Sequence, residues 1–179
     1  MSFVIDNVPL IPQDQNMACW YASVQMLIRW RRDQTQSSEI AHPDPSQVPE
    51  LESVHQANTG LPFSQTIELA KSLGLEAVNP MTPTPGALEN WLRRCGPLWF
   101  AGRYPGGHAV VVTGIDETNI YINDPWPPNQ GKIYTVTYQR FGEVLKPLVA
   151  RPSTTLESIE DFFEPGPFEL GQIPATAKS

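Results

Sequence analysis

The chain is short of the residues that most often dictate a specialised fold. Its 179 residues hold two cysteines, Cys19 and Cys95, too few for a disulfide framework. Histidine is rarer than usual, at three, and these with the two cysteines are scattered too widely for a zinc-ligand pattern. No metal is therefore expected. No run of about eighteen apolar residues exists, so no segment is expected to cross a membrane as a helix. Cations are few: 12 Lys and Arg stand against 19 Asp and Glu, for a net charge of −7. A phosphate backbone needs clustered cations, so nucleic acid is not an expected partner. The short basic run Arg29, Arg31, Arg32 is expected to complement the C-terminal dipole of a helix. The N-terminus, Met-Ser-Phe-Val-Ile-Asp, lacks the charged and apolar regions of a signal peptide. The chain is thus expected to stay in the cytoplasm, or to leave through a machinery that reads no cleavable signal. No repeat of roughly 20 to 50 residues is visible.

What is present suits one folded domain. The apolar fraction is 40 %, enough for a core at this length. Proline is abundant, at 19 residues, and punctuates the elements. Residues 3 to 12 read as a short extended lead-in closed by Pro9 and Pro12. From Met17 to Trp30 the residues Trp20, Val24, Leu27 and Ile28 recur at helical spacing without Gly or Pro. Residues 33 to 59 are polar and predict a long surface loop around His42-Pro-Asp-Pro45, with a helical turn near Leu51 to Gln56. A second helix is predicted over Pro62 to Leu73, with Gly74 as a left-handed cap. A third begins at Thr84-Pro85, a polar N-cap followed by a proline at the first helical position, with Leu88, Trp91 and Leu92 apolar.

The pattern then changes. Pro97 to Gly102, His108 to Ile115, Asn119 to Asn123 and Lys132 to Tyr138 are rich in β-branched and aromatic residues, with Gly106-Gly107 and Asp116-Glu-Thr as turns between them. Phe141 to Leu145 adds a last helical turn or strand. Helices first and antiparallel strands second predict an α+β fold. The domain is expected over residues 1–150. Residues 151–179, rich in Pro, Ser and acids and without periodicity, are expected as an extended or partly disordered tail.

Three residues on separate elements can make a reactive thiol. A cysteine nucleophile needs a pKa below the ordinary value of about 8.5, which a helix N-terminus and a neighbouring imidazolium both provide. Cys19 opens the first predicted helix, and His108 heads the strand Ala-Val-Val-Val. Asp124 ends the next strand and can hold the second ring nitrogen of His108 across a hairpin. Charge developing on a substrate carbonyl would be met by the Cys19 N–H and the side-chain amide of Gln13. This chemistry calls for no organic cofactor.

These residues resemble a known family. Gln13 six residues before Cys19-Trp20, then His108, then Asp124, is similar to the papain-like cysteine peptidases. The compact bacterial branch is the nearest likeness: the avirulence-protein-type peptidases of plant pathogens and, more distantly, the bacteriocin leader peptidases. The likeness rests on Val-Pro-x-x-Pro-Gln before the cysteine, Gly96-Pro97-Leu98-Trp99, Gly107-His108-Ala109-Val110-Val111-Val112-Thr113-Gly114, and Asn123-Asp124-Pro125-Trp126, and it spans about residues 8 to 148. It implies a papain-like fold, with an N-terminal helical part carrying the nucleophile packed on a C-terminal antiparallel sheet. It implies a cysteine endopeptidase acting on proteins, cutting beside Gly, and an effector or toxin delivered by contact-dependent secretion into another cell. A cognate inhibitor or immunity protein would then be a partner. Plant-type papains carry Asn where Asp124 stands. Asn123 is its competitor, since strand neighbours face opposite sides. Asp124 is favoured because the family sets a tryptophan two residues later, here Trp126, to shield the bond to histidine.

Plainer readings stand beside this one. Cys19 on its own reads as a buried core cysteine, and Cys95 as a structural residue at a helix end. His42 and His55 are rival bases but fall in polar loop sequence without rigid support. Gln15 is the rival of Gln13. Trp20, Trp91 and Trp99 read as core. Gly107 and Trp126 are candidate substrate contacts, Gly107 by leaving room beside His108. Thiol chemistry of another class, an acyltransferase, deamidase or peptidoglycan amidase, shares the Cys-then-His order; a non-catalytic binding module is the remaining alternative.

Overall fold

A computed structural model gives the architecture and describes residues 2–35, 45–78, 82–102, 107–144 and 148–152. The chain opens with strand β1 (Phe3–Val4) and an irregular lead-in, then enters helix α1 (Cys19–Thr35). The helix continues past the expected Trp30 because the polar residues that follow include no Gly or Pro. Of the three arginines, only Arg32 therefore falls in its last turn. A short 3₁₀ turn (Pro45–Gln47) leads to helix α2 (Pro49–Ala57). The helical turn expected near Leu51 to Gln56 is a longer helix, and the loop around it is corrected to that extent: Pro49 starts the helix with Glu50 and Glu52 in its first turn, and Asn58 ends it in the left-handed region. His42 lies outside the described residues.

A second 3₁₀ turn (Phe63–Gln65) precedes α3 (Thr66–Ser72), and Gly74 takes φ +66° as expected. Strand β2 (Leu75–Val78) follows, which the sequence reading did not anticipate. Helix α4 (Pro85–Cys95) begins as its caps predicted, Ala87 N–H donating to Thr84 Oγ1 at 3.2 Å. Next come β3 (Leu98–Gly102), β4 (His108–Ile115), β5 (Asn119–Asp124) and β6 (Lys132–Thr137), close to their expected bounds. The open choice over Phe141–Leu145 falls to helix: α5 spans Tyr138–Val144. Strand β7 (Leu148–Pro152) reaches two residues past the expected domain boundary; residues 153–179 lie outside the described residues.

The strands form one antiparallel sheet in the order β2-β7-β3-β4-β5-β6, with β1 pairing the far end of β4. Alternation along the central strands builds two cores. Trp99 and Ala101 of β3, with Ala109 and Val111 of β4, pack under α1, α2 and α3. Leu98 and Phe100, with Val110 and Val112, pack under α4 and Phe141 of α5. Each fully buried side chain of this kind contributes about 1.5–3 kcal/mol. The helices thus cover both faces of the sheet. Two ties matter for the site. Ser23 Oγ on α1 donates to Ala109 O on β4 at 3.1 Å, locking the first helix onto the strand that carries His108. The β4–β5 register pairs Val111 with Asn123, and Asp124, the next residue, comes within 2.8 Å of His108.

Candidate active site

Cys19 is the first residue of α1, where the backbone amides have no intrahelical acceptor and the helix dipole favours negative charge. It shares a pocket with His108. The ring of His108 is largely buried, its side chain 16 % exposed. His108 Nε2 lies 2.8 Å from Asp124 Oδ1. The carboxylate can only accept, so Nε2–H is the donor. That leaves Nδ1 as the ring nitrogen able to serve the Cys19 thiol, which lines the same pocket and helps raise the pKa of the ring. The fold therefore brings together the thiol, imidazole and carboxylate that the sequence singled out.

The electrostatics follow from these contacts. Burial opposes charge on His108. The bond to Asp124, the influence of the nearby Cys19 and the charge of Asp124 outweigh it, and the pKa rises from 6.5 to about 9. Burial likewise opposes ionisation of Asp124, yet its pKa is lowered, first by the bond and charge of His108, then by bonds from Trp126 and Tyr134. The choice between the neighbouring residues is also settled by geometry. Asn123 Nδ2 donates to Val8 O at 3.1 Å, away from His108, as period-two alternation requires.

Asp124 has partners that the sequence reading missed. Its Oδ1 also accepts the Trp126 N–H at 2.8 Å, and its Oδ2 accepts the Tyr134 hydroxyl at 3.0 Å. Lys132 Nζ stands 4.0 Å from Oδ2. The β5–β6 register pairs Asp124 with Lys132, so Lys132 and Tyr134 fall on the face of β6 that Asp124 occupies. Alternation marked that face, but the long-range pairing could not be read locally.

Gln13 is placed differently from expectation. It is buried, and its Nε2 donates to both Gln15 O (2.7 Å) and Asn16 O (2.9 Å). Both amide protons are thus committed to the turn that leads into Cys19, and Oε1 is buried with no partner among the described residues. The backbone of Gln13 is pinned as well: its N–H donates to Pro125 O at 3.1 Å and its carbonyl accepts from Asn129 N–H at 2.8 Å. The rival Gln15 lies with its Nε2 3.5 Å from His55 Nε2. His55 is also corrected. It sits on α2 rather than in a loop, and its ring stacks on Tyr21 with centroids 4.0 Å apart.

The pocket beside Cys19 and His108 has a volume of about 370 Å³. Its apolar wall is formed by Met17, Trp20, Leu61, Pro62, Trp99 and Ala101. Trp20 and Trp99 are core residues, as expected, and also edge this cavity. Gly107 lines it too, and a side chain there would meet nothing within 4 Å. Trp126 does not line it; its indole is exposed at 43 %, while its backbone serves Asp124. Gly106 lies outside the described residues. Cys95 is buried in the second core, as expected of a structural residue. Among the described residues no cluster of His, Cys, Asp and Glu could hold a metal ion, and no helix is long and apolar enough to cross a membrane.

A thiol at a helix N-terminus, a strand-borne imidazole and a buried carboxylate on the next strand make this a papain-like cysteine peptidase. Over residues 2–145 the chain matches the model of the family described as papain-like cysteine protease AvrRpt2, and it belongs to that family. No curated protein sequence matches it. Solved structures of similar fold include a double glycine motif protease from an AMS/PCAT transporter in complex with the leader peptide. That structure is 21 % identical, with TM-score 0.53, over 84 % of this chain and 95 % of the other. The peptidase domain of Streptococcus ComA, a bi-functional ABC transporter of a quorum sensing pathway, is 19 % identical, with TM-score 0.54, over 82 % and 100 %. A putative C39-like peptidase from Bacillus anthracis is 14 % identical, with TM-score 0.51, over 87 % and 99 %. The expected α+β papain-like fold is the observed one.

Proposed function

We propose that Cys19, His108 and Asp124 form the catalytic triad of an endopeptidase. The bond from imidazole to carboxylate, with the thiol in the same pocket as the ring, carries this reading. His108 pairs with the thiolate. The sulfur attacks the scissile carbonyl, the S–C bond forms, and the π pair moves to oxygen. As that oxyanion collapses, His108 gives its proton to the leaving amine, and a thioester remains. His108 then takes a proton from water, whose oxygen displaces the sulfur and frees the acid. Asp124 orients the ring and stabilises its charge. The Cys19 N–H is the permanent oxyanion donor; Gln13 joins it by exchanging one of its two backbone acceptors for the oxyanion.

The apolar pocket supports a substrate with one large apolar side chain close to the cut. The open space at Gly107 supports close approach of a substrate backbone, and we read the residue before the cut as Gly. The neighbour solved with its leader peptide, a double glycine motif protease, agrees in kind. Trp126 then contacts substrate only outside this pocket. Membership in the AvrRpt2 family supports an effector delivered into another cell, with a cognate inhibitor where it is made. The test is to incubate the protein and its Cys19→Ala variant with target-cell lysate and map new N-termini by mass spectrometry. Cuts after Gly that vanish in the variant are expected. Cleavage by the variant, or bulky residues before the cut, would refute the assignment.

A further inference from the structure

One polar cluster near the site has no part in the chemistry above. His55 is nine-tenths buried on α2, its side chain 10 % exposed. Its ring lies 11° from parallel to that of Tyr21 on α1, and the Tyr21 hydroxyl donates to Glu52 Oε2 at 3.2 Å. The histidine ring is therefore fixed by stacking. His55 Nε2 is 2.9 Å from Asp14 Oδ1, and since a carboxylate only accepts, Nε2–H donates. Nδ1 is buried with no partner among the described residues, a cost of about 1–3 kcal/mol. The ring tolerates that cost while committing its one satisfied nitrogen to Asp14.

Asp14 belongs to the turn of residues 13–16 that delivers the chain to Cys19. One side of this turn is held by Pro125 and Asn129, next to Asp124. On the other side, α2 holds it twice: His55 on Asp14, and Asn58 Oδ1 accepting the Met17 N–H at 2.9 Å. Where the turn sits decides where Gln13 and the Cys19 N–H meet the substrate oxygen.

We propose that His55 is a positioning residue: through Asp14 it fixes the 13–16 turn, and with it the oxyanion geometry at Cys19. The inference rests on the peptidase reading. It is tested in the full chain with His55→Phe, which keeps the ring on Tyr21 but loses the bond, and with Asp14→Ala and Asp14→Asn, the last keeping an acceptor oxygen. Two probes separate the thiol from the oxyanion. Iodoacetamide reads the thiolate alone. Acetyl-Phe-glycinal, an aldehyde, bonds to the sulfur as its C=O pair moves to oxygen and takes the thiol proton. The resulting hemithioacetal oxygen occupies the oxyanion position, and its affinity is read as protection of Cys19 from alkylation.

His55→Phe and Asp14→Ala are expected to weaken the aldehyde roughly 10- to 100-fold, the scale of a displacement of about 1 Å, with alkylation changed less than about twofold. Asp14→Asn should restore most of the affinity, and the double variant should be no weaker than either single one. Unchanged aldehyde affinity overturns the proposal. So does a parallel fall in alkylation, affinity and Tm, which marks a role in folding alone. If wild-type Cys19 is alkylated no faster than Cys95 and gains no protection, the peptidase reading itself fails and takes this inference with it.

Discussion

Asp124→Asn removes one negative charge from the site while keeping its shape. The amide oxygen can take the place of Oδ1, which accepts from His108 Nε2 and from the Trp126 N–H, each at 2.8 Å. The amide nitrogen then faces Tyr134, whose hydroxyl can turn and accept. The rise of His108 from 6.5 to about 9 corresponds to about 3 kcal/mol of preference for the charged ring. Burial works against that preference, and the bond to Asp124 with the electrostatic influence of Asp124 and Cys19 supplies it. A neutral acceptor keeps roughly half the strength of a charge-assisted bond, and the Coulomb attraction disappears. A loss of about 1–1.5 kcal/mol follows, which lowers the imidazolium pKa by about one unit. The alkaline limb of kcat/KM, measured on an internally quenched peptide with Gly before the cut, should move from near pH 9 toward about pH 8. Stability responds with a defined sign. The folded pKa of His108 is raised, so its contribution is complete below pH 6.5 and is lost as pH rises through about 9. Thermal unfolding of the wild type should weaken across that window, and that of Asp124→Asn should weaken less. An alkaline limb that stays near pH 9 in the variant would refute the reasoning, because the carboxylate would then have no hold on the charge of the ring.

Tyr134→Phe should cost about 1–2 kcal/mol, since a carboxylate with its side chain 5 % exposed loses one of its donors. Asp124 has a lowered folded pKa, so its stabilisation holds above the unfolded value and fails as pH falls through the folded one. Acid unfolding followed by circular dichroism should therefore begin at higher pH in Tyr134→Phe than in wild type. Gly96→Ala should destabilise by about 2–4 kcal/mol in urea titration, combining left-handed strain with overpacking. Gly96 has φ +87°, and a methyl group there would stand 2.3 Å from the Trp30 ring. A loss below about 1 kcal/mol would mean that Trp30 can move aside.

Sequence was most informative where a pattern is local. The first helix, the caps Thr84 and Pro85, and the four strands from Leu98 to Thr137 follow from periodicity and turn chemistry over a few residues. The order of thiol, imidazole and carboxylate was equally legible, because each sits at the end of a recognisable element. Three features were not. Helix α2 has Leu51 as its one buried apolar residue, so the sequence pattern supports no more than the short helical turn expected there. Strands β2 and β7 are short, and β2 is defined by pairing Leu75–Val78 with Val149–Pro152, far along the chain. The partners of Asp124 and of His55 come from elements remote in sequence, and no spacing rule connects Tyr134 to a carboxylate ten residues earlier or Asp14 to a ring forty-one residues later.

The place of β7 bears on where this chain can be cut or fused. It lies between β2 and β3, and among the described residues it is the strand that joins β2 to the rest of the sheet. A ribosome must release residue 152 before this seam can close, so β2 waits for a strand made after β3 to β6. A chain trimmed at residue 145, where the family match stops, would leave β2 without its neighbour and β3 with a raw edge. Any shortened version meant for assay should run at least through Pro152.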